Sequence, residues 1–437
     1  MPYPGRGHIN PMMNLCKSLS SRLNNNLLIT VVVTEEWLGL IGSEPKPDTI
    51  RFVTIPNVLP SELGRAADMV GFIEAILTKI EEPFDGILDR LEGPAPDVIV
   101  ADTFLPWAVD VGRRRNIPVA SFWPMSGTVF SMFYYYDLLA QNRQLPVEFH
   151  ERAEVTMDSI PGLSPFRLSD LPCPFHLQNQ TIMKTVVEVA SKADQAQYLL
   201  ISSILELEPS AIDSLQATFP FPVYTLGPLI PYFNLHLDSN VDYLRWLDSQ
   251  PHSSVLYVSL GSFLSVSSAQ MDEIAAGLKM SGMKYLLVAR EKASSMKESV
   301  CGGSGVVVPW CDQLKVLCHP SIGGFWTHCG WNSTMESFFA GLPLLAFPIA
   351  MDQYPNSRLV AEVLKIGWRV KGPAGDLVRR EEIAELVRRF MDLENVERKE
   401  MEKRAREIQE TCRRAIGKGG SSENNFEAFI KEIFPNH

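Results

Sequence analysis

Residues 310–353 read WCDQLKVLCHPSIGGFWTHCGWNSTMESFFAGLPLLAFPIAMDQ, and this stretch decides the fold. Gly324-Phe325-Trp326-Thr327 has the buried, aromatic character of a strand, and His328-Cys329-Gly330 supplies a tight turn after it. Trp331-Asn332-Ser333-Thr334 then opens a helix, and a second apolar strand follows at Leu344–Pro348. Strand, helix and strand at this spacing form a unit of parallel α/β structure.

The same rhythm runs through the whole chain. Apolar, β-branched runs predict strands near Leu27–Val33, Ile50–Ile55, Asp97–Ala101, Val119–Phe122 and Tyr198–Ser202. Further on they fall near Val255–Leu260, Tyr285–Ala289, Val306–Val308, Gly324–Thr327 and Leu344–Pro348. Helical patterns intervene at Met12–Leu23, Phe104–Arg115, Met271–Met280, Arg379–Asp392 and Val396–Ile416. At 437 residues the chain exceeds one ordinary core, and two α/β domains are expected. The boundaries expected are 1–226, a linker over 227–241 ahead of a short helix at Asp242–Asp248, 242–420, and a closing amphipathic helix over 421–437. Ligands in open α/β sheets bind beyond the carboxyl ends of the strands, so a cleft between the domains is the expected site.

Composition narrows the function. With 46% hydrophobic and 21% charged residues the chain is globular, and its net charge of −11 excludes a general nucleic-acid binder. Seven cysteines without paired spacing argue for a reducing, cytoplasmic setting over a disulfide scaffold. No apolar run is long enough for a membrane span, and MPYPGRGHINP has no apolar core of a signal peptide.

The chemistry of the opening stretch is sequential. Trp310 ends a Val-rich strand, where an indole can stack on a flat base; alone it would read as core. Gln313 can bond to a sugar or base, and alone it is a surface amide. The helix start at Trp331 can receive a diphosphate, with His328, Asn332 and Ser333 adding donors. Against that, Ser333-x-x-Glu336 is also a capping box that needs no ligand. Asp352 and Gln353 can accept from and donate to adjacent sugar hydroxyls. Cys311, Cys318, His319, His328 and Cys329 imitate a metal cluster, but no ligand spacing supports zinc.

Residues 310–353 resemble the donor-binding signature of plant family-one UDP-dependent glycosyltransferases, and weaker resemblance covers the rest of the chain. It implies a GT-B fold of two Rossmann-like domains, the last helix crossing back to the N-terminal, acceptor-binding domain. Trp310 would stack on uracil, Gln313 and Glu336 hold the ribose, and His328, Asn332 and Ser333 hold the diphosphate. Trp331, Asp352 and Gln353 would face the sugar, and Ser262 would supply a second phosphate contact. Asp312 replaces the proline of the usual Trp-x-Pro-Gln, which changes the turn's stiffness with little expected effect on stacking.

The resemblance also assigns catalysis. His8, in Gly5-Arg6-Gly7-His8, matches the family's general base, read here as lying in a Gly-rich turn ahead of the helix. Asp102, ending a strand, matches the aspartate that orients it; alone it would read as a helix N-cap. No Asp-x-Asp occurs, so transfer without metal or cofactor is expected, by one inverting displacement that makes a β-glycoside. Gln353 favours UDP-glucose, and the acceptor is a hydroxyl or carboxyl of a small lipophilic molecule. Phe104, Trp123, Met125 and Phe175 are candidates for its pocket, though each is also ordinary core. The protein is expected to be a monomer. Two alternatives stay open: an idle UDP-sugar-binding protein, and an oxidoreductase using Gly5-x-Gly7. Only three residues precede Pro4-Gly5-Arg6-Gly7-His8, so the strand that normally leads into it is expected to be truncated, leaving a sheet edge exposed.

Overall fold

The computed structural model describes residues 1–23, 27–62, 65, 68–141, 153–176, 180–235, 241–261, 266–290, 293, 305–370 and 377–435. The chain divides into two compact units, Met1–Ile230 with Arg414–His437, and Pro231–Arg413.

In the first unit, β3 (Ile99–Asp102), β4 (Val119–Trp123), β7 (Tyr198–Ile201) and β8 (Val223–Thr225) form a parallel sheet in that order. A second parallel pair joins β1 (Ile29–Thr34) to β2 (Ile50–Ile55), and a short antiparallel ribbon joins β5 (Thr156–Met157) to β6 (Phe166–Arg167). All-parallel strands buried on both faces read as unbroken apolar runs, which is why ITVVVT and VASFW were legible in the sequence. The edge of β3 is partly occupied: Met1 donates to the Val100 carbonyl at 2.5 Å and accepts from the Asp102 amide at 2.9 Å.

The helix Ser421–Ile433 belongs to this first unit. Asn425 donates to the Thr225 carbonyl at 3.0 Å, and Arg22 pairs with Glu423. Phe429 is fully buried, its ring 5.6 Å from Tyr198 and 5.7 Å from Tyr224. Burying one phenylalanine contributes roughly 1.5–3 kcal/mol, enough to fix so short a helix on its sheet.

The second unit is a six-stranded parallel sheet made of β9 (Val255–Ser259), β10 (Lys284–Val288), β11 (Gly305–Val308), β12 (Ile322–Thr327), β13 (Leu344–Ala346) and β14 (Gly367–Arg369). Its order is β11-β10-β9-β12-β13-β14, the doubly wound Rossmann arrangement. The order reverses between β9 and β12, so their carboxyl ends, at Ser259 and Thr327, border the crevice where such sheets bind ligands. Ser267 caps the helix Ser268–Ser281, which packs against Arg380–Met391 on the sheet. Among the described residues no helix is long and apolar enough to cross a membrane.

Candidate active site

At the carboxyl end of β3, the Asp102 carboxylate makes two bonds. Oδ1 accepts from the Phe104 amide at 3.0 Å, and Oδ2 lies 2.8 Å from His8 Nδ1. The Asp102 side chain is completely buried, while the His8 side chain keeps 21% exposure. A carboxylate with that contact fixes the imidazole tautomer, placing the proton on Nδ1 and leaving Nε2 as an acceptor. Tyr3 and Phe104 frame the ring at centroid distances of 4.7 and 5.6 Å.

Two local readings change. His8 lies inside the first turn of the helix Arg6–Arg22, not in a turn ahead of a helix at Met12. Pro11 forfeits only one backbone bond there, and the buried face of Ile9, Met12, Met13 and Leu15 outweighs it. Asp102 is not a helix cap either, because the helix begins at Trp107 with Pro106 as its N-cap. The carboxylate holds a short turn instead.

The four candidate pocket residues divide. Trp123 is fully buried, its Nε1 donating to the Ser126 carbonyl at 2.9 Å, and Phe175 is buried against Phe133. Both are core: Trp123 lies on β4, which is buried along its whole length, and Phe175, on the short helix Cys173–His176, joins the same apolar cluster. Phe104 and Met125 are only partly buried at the margin of that core, and Phe104 stacks on Trp123 at 5.5 Å.

In the second unit the Trp310 indole is 56% exposed, unlike a core tryptophan. Behind it, Gln313 and Glu336 hold each other. Gln313 Nε2 donates to Glu336 Oε2 at 2.7 Å and to Ser333 Oγ at 2.9 Å, while its Oε1 accepts from the Tyr257 hydroxyl at 3.1 Å. Burial pushes the Glu336 carboxyl up to about 7, against the opposing pull of Gln313. Tyr257 also meets Cys311 Sγ at 3.3 Å, and burial pushes that thiol up to about 12. The capping-box reading fails: the helix is Trp331–Ala340, its N-cap is Gly330, and Ser333 and Glu336 lie within it.

No side chain caps that helix, and no acidic residue occupies its first turn, so its positive end is not offset locally. His328 stands beside it at the switch point. Its ring fills the space where Gly261 and Gly330 lack side chains: a Cβ on either would come within 2.7 or 2.5 Å of Nε2. Gly261 has φ +93, so both its backbone and the room it leaves require glycine. Burial, then the Arg290 charge, holds the His328 imidazole down to about 4, although the nearby Ser259 backbone opposes the shift. Its Nδ1 makes no well-aligned hydrogen bond among the described residues.

Asp352 and Gln353 sit beyond β13, as the sequence implied, but Gln353 is partly committed. Its Oε1 accepts from the Ile349 and Ala350 amides at 2.7 and 3.0 Å, so that oxygen is already engaged in holding the loop. Asn356 donates to Asp352 Oδ2 at 2.8 Å and to the Cys329 carbonyl at 3.0 Å, tying this pair to the turn after β12. Trp331, expected to face the sugar, is 3% exposed and offers little indole surface. Asn332 is partly exposed, and Ser262 lies outside the described residues. The cysteines and histidines of the apparent metal cluster are dispersed: His319 pairs with Asp248 and Ser321, and Cys329 with Thr327.

Sequence reasoning missed Tyr257, Asn356 and Tyr243, whose hydroxyl accepts from the Asp312 amide at 3.0 Å. Only Asn356 carried a signal, standing four residues after Asp352 on one helical face.

Comparison with known proteins gives the family. The description "UDP-glucoronosyl and UDP-glucosyl transferase" matches residues 216–368. Arabidopsis thaliana UDP-glycosyltransferase 87A1 is 52% identical across 99% of each chain, and 87A2 is 50% identical across 99% of this chain and 96% of its own. The chain belongs to the plant family-1 UDP-glycosyltransferases. Among solved structures, Os79 from O. sativa in complex with U2F and trichothecene matches with TM-score 0.85 and 28% identity over 99% of both chains. Medicago truncatula UGT71G1 complexed with UDP-glucose matches with TM-score 0.84 and 26% identity over 99% of this chain and 97% of that one. The fold is therefore GT-B, the protein is a UDP-glycosyltransferase acting on small molecules, and a UDP-sugar is its co-substrate. The oxidoreductase alternative falls away.

Proposed function

We propose that this enzyme transfers glucose from UDP-glucose to a hydroxyl or carboxyl of a small lipophilic acceptor, with inversion at the anomeric carbon. The observation that carries the catalytic reading is the 2.8 Å contact of His8 Nδ1 with the buried Asp102, which leaves Nε2 to take a proton. His8 Nε2 removes the acceptor proton and Asp102 stabilises the imidazolium that results. The acceptor oxygen bonds to C1 as the bond from C1 to the diphosphate oxygen breaks, and UDP departs with the electron pair. An α-linked donor thereby yields a β-glycoside.

For the donor, Trp310 stacks on uracil, and Glu336, held by Gln313, accepts from the ribose hydroxyls. The start of the Trp331–Ala340 helix, with His328, Asn332 and Ser333, offsets the diphosphate charge. Asp352 and the Gln353 amide read the sugar hydroxyls. Glucose is supported by Gln353 and by the UDP-glucose complex of the Medicago relative. Phe104 and Met125 are the partly exposed residues suited to line the acceptor site. Protein donors take the role of a metal, a reading that rests on the absence of Asp-x-Asp in the sequence. A monomer in the cytoplasm completes the proposal.

The test is a screen of UDP-sugars against phenols, terpenols and hormones, read by mass spectrometry with and without Mg²⁺. UDP-glucose turnover without added metal is expected. His8→Ala should lower the rate about 10²-fold or more, and a negligible effect removes the base assignment.

A further inference from the structure

We propose that Arg65 is a positioning residue for the reaction, clamping the Pro4–Gly5 turn from which the His8 helix starts. The proposal rests on the reading of His8 as the base. Arg65 is 6% exposed, a costly place for a guanidinium unless it is well paired. Its Nη1 donates to the Pro4 carbonyl at 2.8 Å, and its Nη2 lies 3.1 Å from Glu62 Oε1. The guanidinium also sits over the Phe72 ring, 5.5 Å from its centroid.

The clamp is one residue from the atoms that set the position of His8. The Gly5 carbonyl accepts from the His8 and Ile9 amides, both at 2.9 Å, so the Pro4–Gly5 turn fixes the backbone of the base. Tyr3, just before it, packs on both the His8 ring and Phe72, at 4.7 and 6.1 Å. Arg65, Phe72, Tyr3 and His8 therefore form one contiguous set.

The identity of residue 5 is explained the same way. Gly5 has φ −175, extended backbone open to any residue. What a side chain there would meet is the guanidinium: a Cβ would lie 2.4 Å from Arg65 Nη1, so it would push that tip off the Pro4 carbonyl. By contrast, a Cβ on Gly7 meets nothing within 4 Å, so the glycine beside the base is not what needs space. Gly5 is small so that Arg65 can reach Pro4.

A double-mutant cycle on the full chain tests this, with kcat and donor KM measured for an acceptor found in the screen. Arg65→Met and Gly5→Ala should each lower kcat about tenfold by misplacing His8, with donor KM within about twofold. The double variant should be no slower than either single one, because both break one contact, and Arg65→Lys should recover part of the loss. A double variant with multiplied losses, an unchanged kcat in either single variant, or a loss that tracks only a collapse in thermal stability overturns the clamp. His8→Ala, run alongside, separates the two readings. Retained activity there sinks the base itself, whereas an inactive His8→Ala with an additive cycle sinks only the role of Arg65.

Discussion

The two units each carry a histidine near the carboxyl end of a parallel strand, in opposite electrostatic settings. His8 meets a buried carboxylate at 2.8 Å and keeps a fifth of its side chain exposed. His328 is packed between two glycines beside Arg290, its imidazole held down to about 4. A carboxylate on Nδ1 orients the ring and leaves Nε2 open as an acceptor; burial near a cation keeps an imidazole neutral. The same residue type thus suits a base in one unit and a neutral hydrogen-bond donor in the other. The comparison teaches that the partner, more than the position after a strand, assigns a histidine its task.

The sharpest way to break this contrast is Asp102→Asn. Removing the charge while keeping the shape should lower kcat about 10²-fold or more, as for loss of the base itself, with donor KM nearly unchanged. Equal kcat in steady-state assays would show that the dyad is only structural.

His328→Phe attacks the other side. Losing a donor to a charged diphosphate should weaken UDP binding by about 1.5–3 kcal/mol, while uridine binding changes little, in calorimetric titrations of both. The variant also has a signature without ligand. Because the folded value of about 4 lies below the ordinary 6.5, His328 contributes stability that is complete above pH 6.5 and is lost as pH falls toward 4. That loss, on the order of 2 kcal/mol allowing for partial exposure, should be missing from melting curves of His328→Phe. Identical pH dependence in both proteins would contradict the buried neutral imidazole.

Glu336 inverts the sign. Its folded carboxyl stands at about 7 against an ordinary 4.5, so its contribution is present below pH 4.5 and is lost as pH rises through 7. Glu336→Gln should therefore melt higher than wild type at pH 8, by about 1 kcal/mol, yet raise donor KM about tenfold. Stability traded for function is the expected pattern for a carboxylate kept for a ligand. A variant less stable at pH 8 would place Glu336 among the structural groups.

Much of this was readable before any coordinates. Buried parallel strands show as continuous apolar runs, so the core strands of the second sheet and the position of Asp102 at a strand end followed from VLYVSL, GGFWT and DVIVAD, whereas the order of the strands in that sheet did not. The dyad was legible only through the family motif, since nothing local links residues ninety-four apart. Helix starts were less legible. Gly5 and Gly330 act as N-caps without capping side chains, so the usual Ser or Asp signal is absent, and Ser333-x-x-Glu336 imitated one in the wrong place. Nor could Trp123 and Phe104 be separated by composition. Which of two stacked aromatics is covered depends on what crosses above them.

The smallest predicted effect concerns the residue at which the donor stretch departs from its family. Asp312 has φ −72, a value proline would also adopt, so the backbone itself does not distinguish the two. What proline lacks is the amide. The Asp312 N–H donates to the Tyr243 hydroxyl at 3.0 Å, and its carboxylate accepts from the Lys315 amide at 3.3 Å, capping the helix Gln313–Leu317. The turn between Trp310 and Gln313 is thus held by hydrogen bonds where a pyrrolidine ring would hold it by stiffness. Tyr243→Phe removes one such bond, worth about 0.5–1.5 kcal/mol, and should raise donor KM a few-fold without touching kcat. In an Asp312→Pro background the same change should cost nothing, because no amide remains to be held. If Tyr243→Phe raises donor KM equally in both backgrounds, the hydroxyl serves something other than this turn.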